Sequence, residues 1–199
     1  MKKIKILLVL LISLTVSSYM MPVTVMAQET NSMVVNLEAS YGQTEARNML
    51  DMLNKWRTGS DAWEYAPDGS IIRYNTSAEN TLQPLVYDYA LEQIAMQRAA
   101  EIALNFSHTR PNGTSCNTVI YEEFAANGEN IAIGSAGSQN DNVAGTFESW
   151  QETNEDYSGQ GHRRNMLDSR YESFGIGYAV VNGVHCWVQE FSTSQSATT

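Results

Sequence analysis

The sequence predicts an α+β domain in which helices pack on a small antiparallel sheet. In three segments of the chain, apolar residues recur at spacings of three and four, the period of amphipathic helices. Near its end the chain has two apolar runs, 174–181 and 184–191, joined by the Asn182-Gly183 pair that is typical of a β-hairpin. Helices and strands do not alternate regularly, which disfavours a parallel α/β sheet.

The first half of the domain predicts two helices separated by a loop. Apolar periodicity places the first helix at residues 44–58. Residues 60–84 are rich in glycine, proline, aspartate and aromatic residues, so we expect a structured loop, with 70–74 as its strand candidate. Asp88 can cap the second helix, which we expect to end near Phe106.

The second half predicts one strand and two further helices before the hairpin. The strand is the β-branched run 129–134, which is bounded by glycines. A third helix is predicted at 143–150 and a short fourth one at 162–167. We expect Arg163 and Arg164 to face solvent at the start of the short helix.

The chain begins like a secretory signal peptide. Three lysines precede an apolar run at residues 6–12, which is too short to span a bilayer. Small residues at Val25 and Ala27 predict cleavage after position 27. We therefore expect residues 1–27 to be a signal peptide and the mature protein to be secreted and extracellular.

The mature chain is expected to hold one domain. Residues 28–43 are polar without a sustained period and predict a leader or linker. The domain is expected to cover residues 44–193, a normal length for a single core. Residues 194–199 form the expected C-terminal tail.

The charge of the chain argues against two classes of partner. The predicted signal peptide carries three of the 12 lysines and arginines and none of the 22 acidic residues, which leaves a formal charge of −13 on the mature chain. Such an acidic protein is a poor partner for nucleic acid or an anionic membrane surface. No second long apolar stretch follows the signal peptide, so we expect no stable membrane insertion.

Cys116 and Cys186 are the two cysteines of the chain. In a protein that leaves the cytosol, a disulfide between them is the leading interpretation. A buried or unpaired thiol is the alternative.

Two of the three histidines are candidates for function. His108 and His162 lie at predicted helix ends beside turn residues, where a side chain can enter a cleft, whereas His185 faces away from Cys186 on a strand and is expected to be solvated. Glu129 opens a short strand. If both candidate histidines and this carboxylate converge, they match the donors of Zn²⁺ or another divalent metal, or a metal-free acid/base pair. Their spacing alone contains no compact ligand motif.

Four motifs in order resemble the bacterial branch of the superfamily of cysteine-rich secretory, antigen-five and pathogenesis-related (CAP) proteins. These motifs are "FSHTRPNG" (106–113), "GENIAIG" (128–134), "GHRRNML" (161–167) and "FGIGYAVVNGVHCWVQEF" (174–191). Each is short, but they follow the family order, and the resemblance covers roughly residues 44–191.

The resemblance implies a secreted three-layer α-β-α sandwich with a cleft lined by two histidines and acidic residues. His108, Glu129 and His162 match the family motifs residue by residue. The eukaryotic pattern of the superfamily adds a second glutamate three residues after a tryptophan, but the residue three after Trp150 is Thr153. Two neighbouring glutamates, at 152 and 155, are out of that register.

Three functions are compatible with the resemblance. The first is a secreted binding domain whose cleft holds a divalent metal, a small molecule such as a lipid, or a protein partner. The second is a metal-assisted hydrolase or peptidase in which Glu129 is the base and His108 and His162 are ligands or acid. The third is a structural His/Glu network. The binding domain is favoured because the sequence offers no nucleophile or oxyanion-hole motif.

Overall fold

The computed structural model describes residues 38–198. The predicted signal peptide and most of the predicted leader lie outside the described residues. Among the helices within that range, none combines the length and the apolar character needed to cross a membrane.

The described residues form short helices and strands that precede a long closing hairpin. The α-helices are α1 (Gln43–Ala46), α2 (Asn48–Arg57), α3 (Tyr89–Ile102), α4 (Val143–Trp150) and α5 (Gly161–Leu167). The strands are β1 (Ala39–Tyr41), β2 (Trp63–Tyr65), β3 (Ile71–Arg73), β4 (Val86–Tyr87), β5 (Ile120–Tyr121), β6 (Phe124–Ala125), β7 (Gly128–Ser135), β8 (Ser173–Val181) and β9 (Val184–Ser192).

The predicted antiparallel sheet is confirmed. Its strand order is β1-β8-β9-β7, with all three neighbouring pairs antiparallel, and β4 adds a short parallel pairing to β8. Asn182 and Gly183 both adopt positive φ, 52° and 79°, as the tight turn between β8 and β9 requires. β7 lies at the end of this order, so one of its edges is not covered by another strand of the sheet.

Helices cover both faces of the sheet, which confirms the three-layer α-β-α sandwich. Side chains of β7, β8 and β9 alternate between the two faces. On one face, α3 packs against the sheet through Ala95, Ala99 and Ile102. On the other face, α2, α4 and α5 pack around Trp187 and Phe191 of β9.

Two glycines of β8 allow α3 to lie unusually close to the sheet. A Cβ atom added at Gly175 would lie 2.4 Å from the backbone of Leu91 and Glu92. One added at Gly177 would lie 2.2 Å from the carbonyl group of Ala95. Because these atoms belong to helix backbone, no side-chain rotation could relieve the clash.

The predicted helices differ from the observed ones mainly at their ends. The first is split at Arg47 into α1 and α2, and the second ends at Ile102 rather than near Phe106. Asp88 caps α3 as predicted, since its side chain accepts hydrogen bonds from the backbone N–H groups of Ala90 and Leu91. The loop at 60–84 contains the β2–β3 hairpin.

The predicted disulfide is wrong, because Cys116 and Cys186 are both free and buried. Cys186 lies on β9 opposite Ile133 of β7, whereas the Cys116 sulfur lies within 4.8 Å of a Glu129 oxygen. Glu129 and Ile133 are four residues apart on β7, a separation of roughly 13 Å. A disulfide needs Cα atoms within roughly 7 Å of each other.

Candidate functional site

His108 is positioned by a short antiparallel loop that follows α3. The backbone N–H of Cys116 donates to the carbonyl oxygen of His108 over 2.9 Å, and Thr109 and Ser115 form a β-bridge next to this bond. The loop therefore sets His108 and Cys116 opposite each other. The His108 side chain is 56% exposed, whereas Cys116 is buried.

Glu129 connects this loop to the sheet. It lies at the start of β7, and its side chain is 1% exposed. His108 Nδ1 is 2.8 Å from Glu129 Oε1, and Arg98 Nε donates to Oε2 over 2.7 Å. A second Arg98 nitrogen, Nη2, donates to Oε1 over 3.2 Å, so both carboxylate oxygens have partners.

Arg98 of α3 organises the charges beneath His108. Its guanidinium is fully buried and also donates to Glu101 Oε2 and to the carbonyl oxygen of Ser107, each over 2.8 Å. Glu101 in turn accepts from Arg110 over 2.7 Å. Buried charges are stable when they are paired and hydrogen-bonded in this way.

The network favours the charged forms of both partners in the His108–Glu129 pair. Burial opposes ionisation of Glu129, but hydrogen bonds from His108 and Arg98 outweigh it and hold the pKa of the carboxyl below 4.5. Hydrogen bonding to Cys116 and then to Glu129 raises the pKa of His108 to about 9. At neutral pH the pair is therefore imidazolium and carboxylate.

Glu190 is a second carboxyl at the same place. It lies on β9 directly opposite Glu129 and is 1% exposed. Burial, the charge of Glu129 and a side-chain hydrogen bond with Glu129 raise the pKa of Glu190 well above its ordinary value. Glu190 is therefore the protonated partner and donates this hydrogen bond to the ionised Glu129.

Cys116 joins His108 and Glu129 in a compact group of donors. One sulfur, one ring nitrogen and one carboxylate oxygen of these residues all lie within 4.8 Å of one another. In residues 38–198 this is the one group of three histidine, cysteine or acidic side chains that is close enough to hold a metal ion. His162 is not part of it.

His162 is held by a different glutamate. It lies in the first turn of α5, and its Nδ1 is 2.5 Å from Oε1 of Glu152. The other oxygen of Glu152 accepts from the backbone N–H of Arg163 over 3.1 Å. The Asn130 side chain donates to the carbonyl oxygen of His162, which ties α5 to the strand residue beside Glu129.

Glu152 supplies the second glutamate of the site although it is out of the expected helical register. The helix α4 ends at Trp150, and Glu152 adopts a left-handed conformation with φ of 46°. This turn redirects the side chain towards His162, so Thr153 is not needed in that role. No local sequence pattern marks this turn, because it depends on a backbone conformation that non-glycine residues seldom adopt.

Arg163 does not face solvent, contrary to the prediction. Its side chain is buried, with the guanidinium carbon 5.0 Å from the ring centre of Trp56 and 4.1 Å from that of Trp63. Trp63 belongs to the β2–β3 hairpin, so this loop braces α5 and thereby His162. Cation–π contacts of this kind stabilise a desolvated arginine.

A cleft of about 690 Å³ lies along the uncovered edge of β7, next to the end of α4. His162, Glu152 and Thr153 line it together with two further glutamates, Glu148 and Glu155. With three carboxyl groups and one imidazole in its wall, the cleft suits a cation or a positively charged ligand.

The structure thus pairs each predicted histidine with its own glutamate. His108 is paired with Glu129, which the motifs also single out, and His162 is paired with Glu152, which is out of the family register. Sequence reasoning also missed Arg98 and Glu190, and it assigned Cys116 to a disulfide. His185 is bound to Tyr178 of the neighbouring strand, with Nδ1 2.7 Å from the phenolic oxygen.

The comparisons with known proteins agree with this architecture. The model of the CAP family, described as "Cysteine-rich secretory protein family", matches residues 50–191. No curated protein matches the chain significantly.

Two solved structures share the fold at low sequence identity. An outer surface protein of Borrelia burgdorferi superposes with a TM-score of 0.52 at 14% identity, over 78% of this chain and 97% of that one. The structure of NaASP2 with Zn²⁺ also gives a TM-score of 0.52, at 16% identity, over 79% of this chain and 85% of that one.

Proposed function

The chain belongs to the cysteine-rich secretory protein family, and we propose that it is an extracellular domain that binds a divalent metal ion through His108 and His162. One observation carries the proposal. Each imidazole is held at Nδ1 by a glutamate, over 2.8 Å at His108 and 2.5 Å at His162. Metal-binding histidines have this arrangement, because a carboxylate at one ring nitrogen orients the other towards the ion.

The residues present fit such an ion. Imidazole nitrogens and carboxylate oxygens are donors that Zn²⁺ accepts. Glu129 and Glu152 orient the two rings, and the acidic cleft beside His162 raises the local concentration of cations. A bound ion would supply a positive centre that can hold an anionic or carbonyl group of a further ligand.

Two findings about other proteins support the proposal. NaASP2, which shares the fold, has a structure with Zn²⁺. The Borrelia burgdorferi protein is an outer surface protein, which agrees with the extracellular location that the N-terminal sequence predicts.

A hydrolase with Glu129 as the base is not favoured. Both oxygens of this carboxylate already accept hydrogen bonds, and its pKa lies below the ordinary value. A general base works best with a pKa near the working pH. A binding function leaves the hydrogen bonds of Glu129 in place and therefore agrees better with the geometry.

We expect calorimetric titration with Zn²⁺ to give saturable binding to the wild-type domain. His108→Ala and His162→Ala should each weaken the affinity by at least about tenfold, the smallest loss that is usual even when only an orienting partner is removed. His185→Ala is the matched control, because this histidine bonds to Tyr178 away from both glutamates, and it should bind like the wild type. Wild-type affinity in either His108→Ala or His162→Ala would contradict the proposal.

Thermal unfolding of the same variants separates metal binding from a structural network. The His162 side chain is one-third exposed, so its removal should change the midpoint of unfolding little when the metal is removed by a chelator. A large loss of stability together with unchanged Zn²⁺ affinity would favour the structural interpretation.

We also expect the affinity for Zn²⁺ to increase with pH. The pKa of His108 is raised to about 9 by Cys116 and Glu129, so at lower pH the ion must displace a proton from the ring. Between pH 6 and 8 the affinity of the wild type should rise by about tenfold per pH unit for this proton. The increase should be smaller in His108→Ala, and an equal increase in both proteins would contradict the role of His108.

A further inference from the structure

Cys116 has no part in the metal site proposed for His108 and His162. It is a free thiol in a chain whose other cysteine is packed in the core beneath α3. Its sulfur lies next to the Arg98–Glu129–His108 network.

The position of Cys116 is suited to a ligand rather than to a core residue. Its sulfur lies within 4.8 Å of both a ring nitrogen of His108 and an oxygen of Glu129. The backbone bond between Cys116 and His108 fixes this juxtaposition. The exposed side of the imidazole gives an ion access to the group.

We infer that Cys116 binds, as thiolate, the ion that His108 takes, and that the site therefore selects thiophilic divalent ions such as Zn²⁺, Co²⁺ and Cd²⁺ over Mg²⁺ and Ca²⁺. The inference rests on the proposed function because it uses His108 as a ligand. Soft sulfur donors favour these ions, whereas Mg²⁺ and Ca²⁺ take oxygen ligands.

The charges of the group balance when the ion is bound. Binding releases the thiol proton of Cys116 and the imidazolium proton of His108 to solvent. The thiolate and the Glu129 carboxylate then offset the two charges of the divalent ion. The buried guanidinium of Arg98 keeps Glu101 as its counter-charge.

Absorption spectroscopy with Co²⁺ tests the inference, because a cobalt–thiolate bond gives a near-ultraviolet charge-transfer band that nitrogen and oxygen ligands do not give. We expect the band in the wild type on addition of Co²⁺, displacement of Co²⁺ by Zn²⁺ and Cd²⁺, and no displacement by excess Mg²⁺ or Ca²⁺. The band should be lost in Cys116→Ser and kept in Cys186→Ser, which removes the other thiol of the chain.

Saturable Co²⁺ binding without the band would overturn the inference, as would a band that persists in Cys116→Ser. The wild-type spectrum needs no variant, so it decides the matter even if Cys116→Ser fails to fold. In that outcome the proposed function would survive if Zn²⁺ affinity still depends on His108 and His162. If the wild type binds neither ion, the proposed function itself fails.

Discussion

Replacement of Arg98 by methionine should destabilise the domain by about 3–5 kcal/mol, the usual cost of removing one partner from a buried ion pair. The guanidinium is fully buried and satisfies Glu129, Glu101 and the Ser107 carbonyl group. Without it, the charge of Glu129 stays buried beside Glu190 with no arginine to offset it. Urea unfolding at pH 7 measures the loss.

Arg170→Met is the control for this experiment. The Arg170 side chain is 75% exposed and pairs with Asp168, so its removal should change the stability of the domain little. If Arg98→Met costs as little as Arg170→Met, the buried network does not have the importance assigned to it.

The cost of removing Arg98 should also decrease at low pH. The pKa of Glu129 is lower in the folded domain than its unfolded value of about 4.5, so the ion pair stabilises the fold above that pH and the stabilisation is lost as the pH falls through the folded pKa. Arg98→Met should therefore differ less from the wild type at pH 3 than at pH 7. A constant difference would show that packing, and not charge, explains the effect.

Replacement of Gly177 by alanine should destabilise the domain by about 1–3 kcal/mol or more, because an extra methyl group is forced into a filled space. The added Cβ would lie 2.2 Å from the Ala95 carbonyl group, so α3 would have to move away from β8. Since α3 carries Arg98, the movement should also disturb the pair between Glu129 and His108. Thermal unfolding and Zn²⁺ titration of one preparation measure both effects.

Gly161→Ala is the matched control for Gly177→Ala. An added Cβ at Gly161 has no atom within 4 Å, and this residue begins α5 without a positive φ. Its stability should stay within about 0.5 kcal/mol of the wild type, as for most surface substitutions. An equal loss in the two variants would contradict the close packing of α3 on the sheet.

The fold could be predicted from local patterns because its elements have strong ones. The Asn182-Gly183 pair predicted the turn of the closing hairpin, and Asp88 predicted the start of α3. The break at Arg47 was not predictable, since the apolar period continues through it. The parallel β4–β8 pairing involves only two residues, too few to form a pattern.

The candidate site was predictable only in part, because its contacts depend on tertiary structure. The motifs identified His108, Glu129 and His162, but the partner of His162 depends on the left-handed turn at Glu152. Free and bonded cysteines cannot be distinguished in a sequence. The disulfide prediction for Cys116 therefore depends only on the expected extracellular location.

Two arginines show the same limit. Arg98 and Arg163 lie on helices, and their charge alone predicts that their side chains face solvent. Arg98 is buried because Glu129 and Glu101 surround it, and Arg163 is buried because two tryptophans from separate segments enclose it. Neither environment follows from the residues near these arginines in the chain.

The most direct test of the central claim is an anomalous-difference map of crystals of the domain grown with Zn²⁺. We predict one ion bonded to ring nitrogens of His108 and His162, with Glu129 and Glu152 still bound to the opposite nitrogens. Both histidine rings without a bound ion, or Zn²⁺ only on surface carboxylates, would contradict the account.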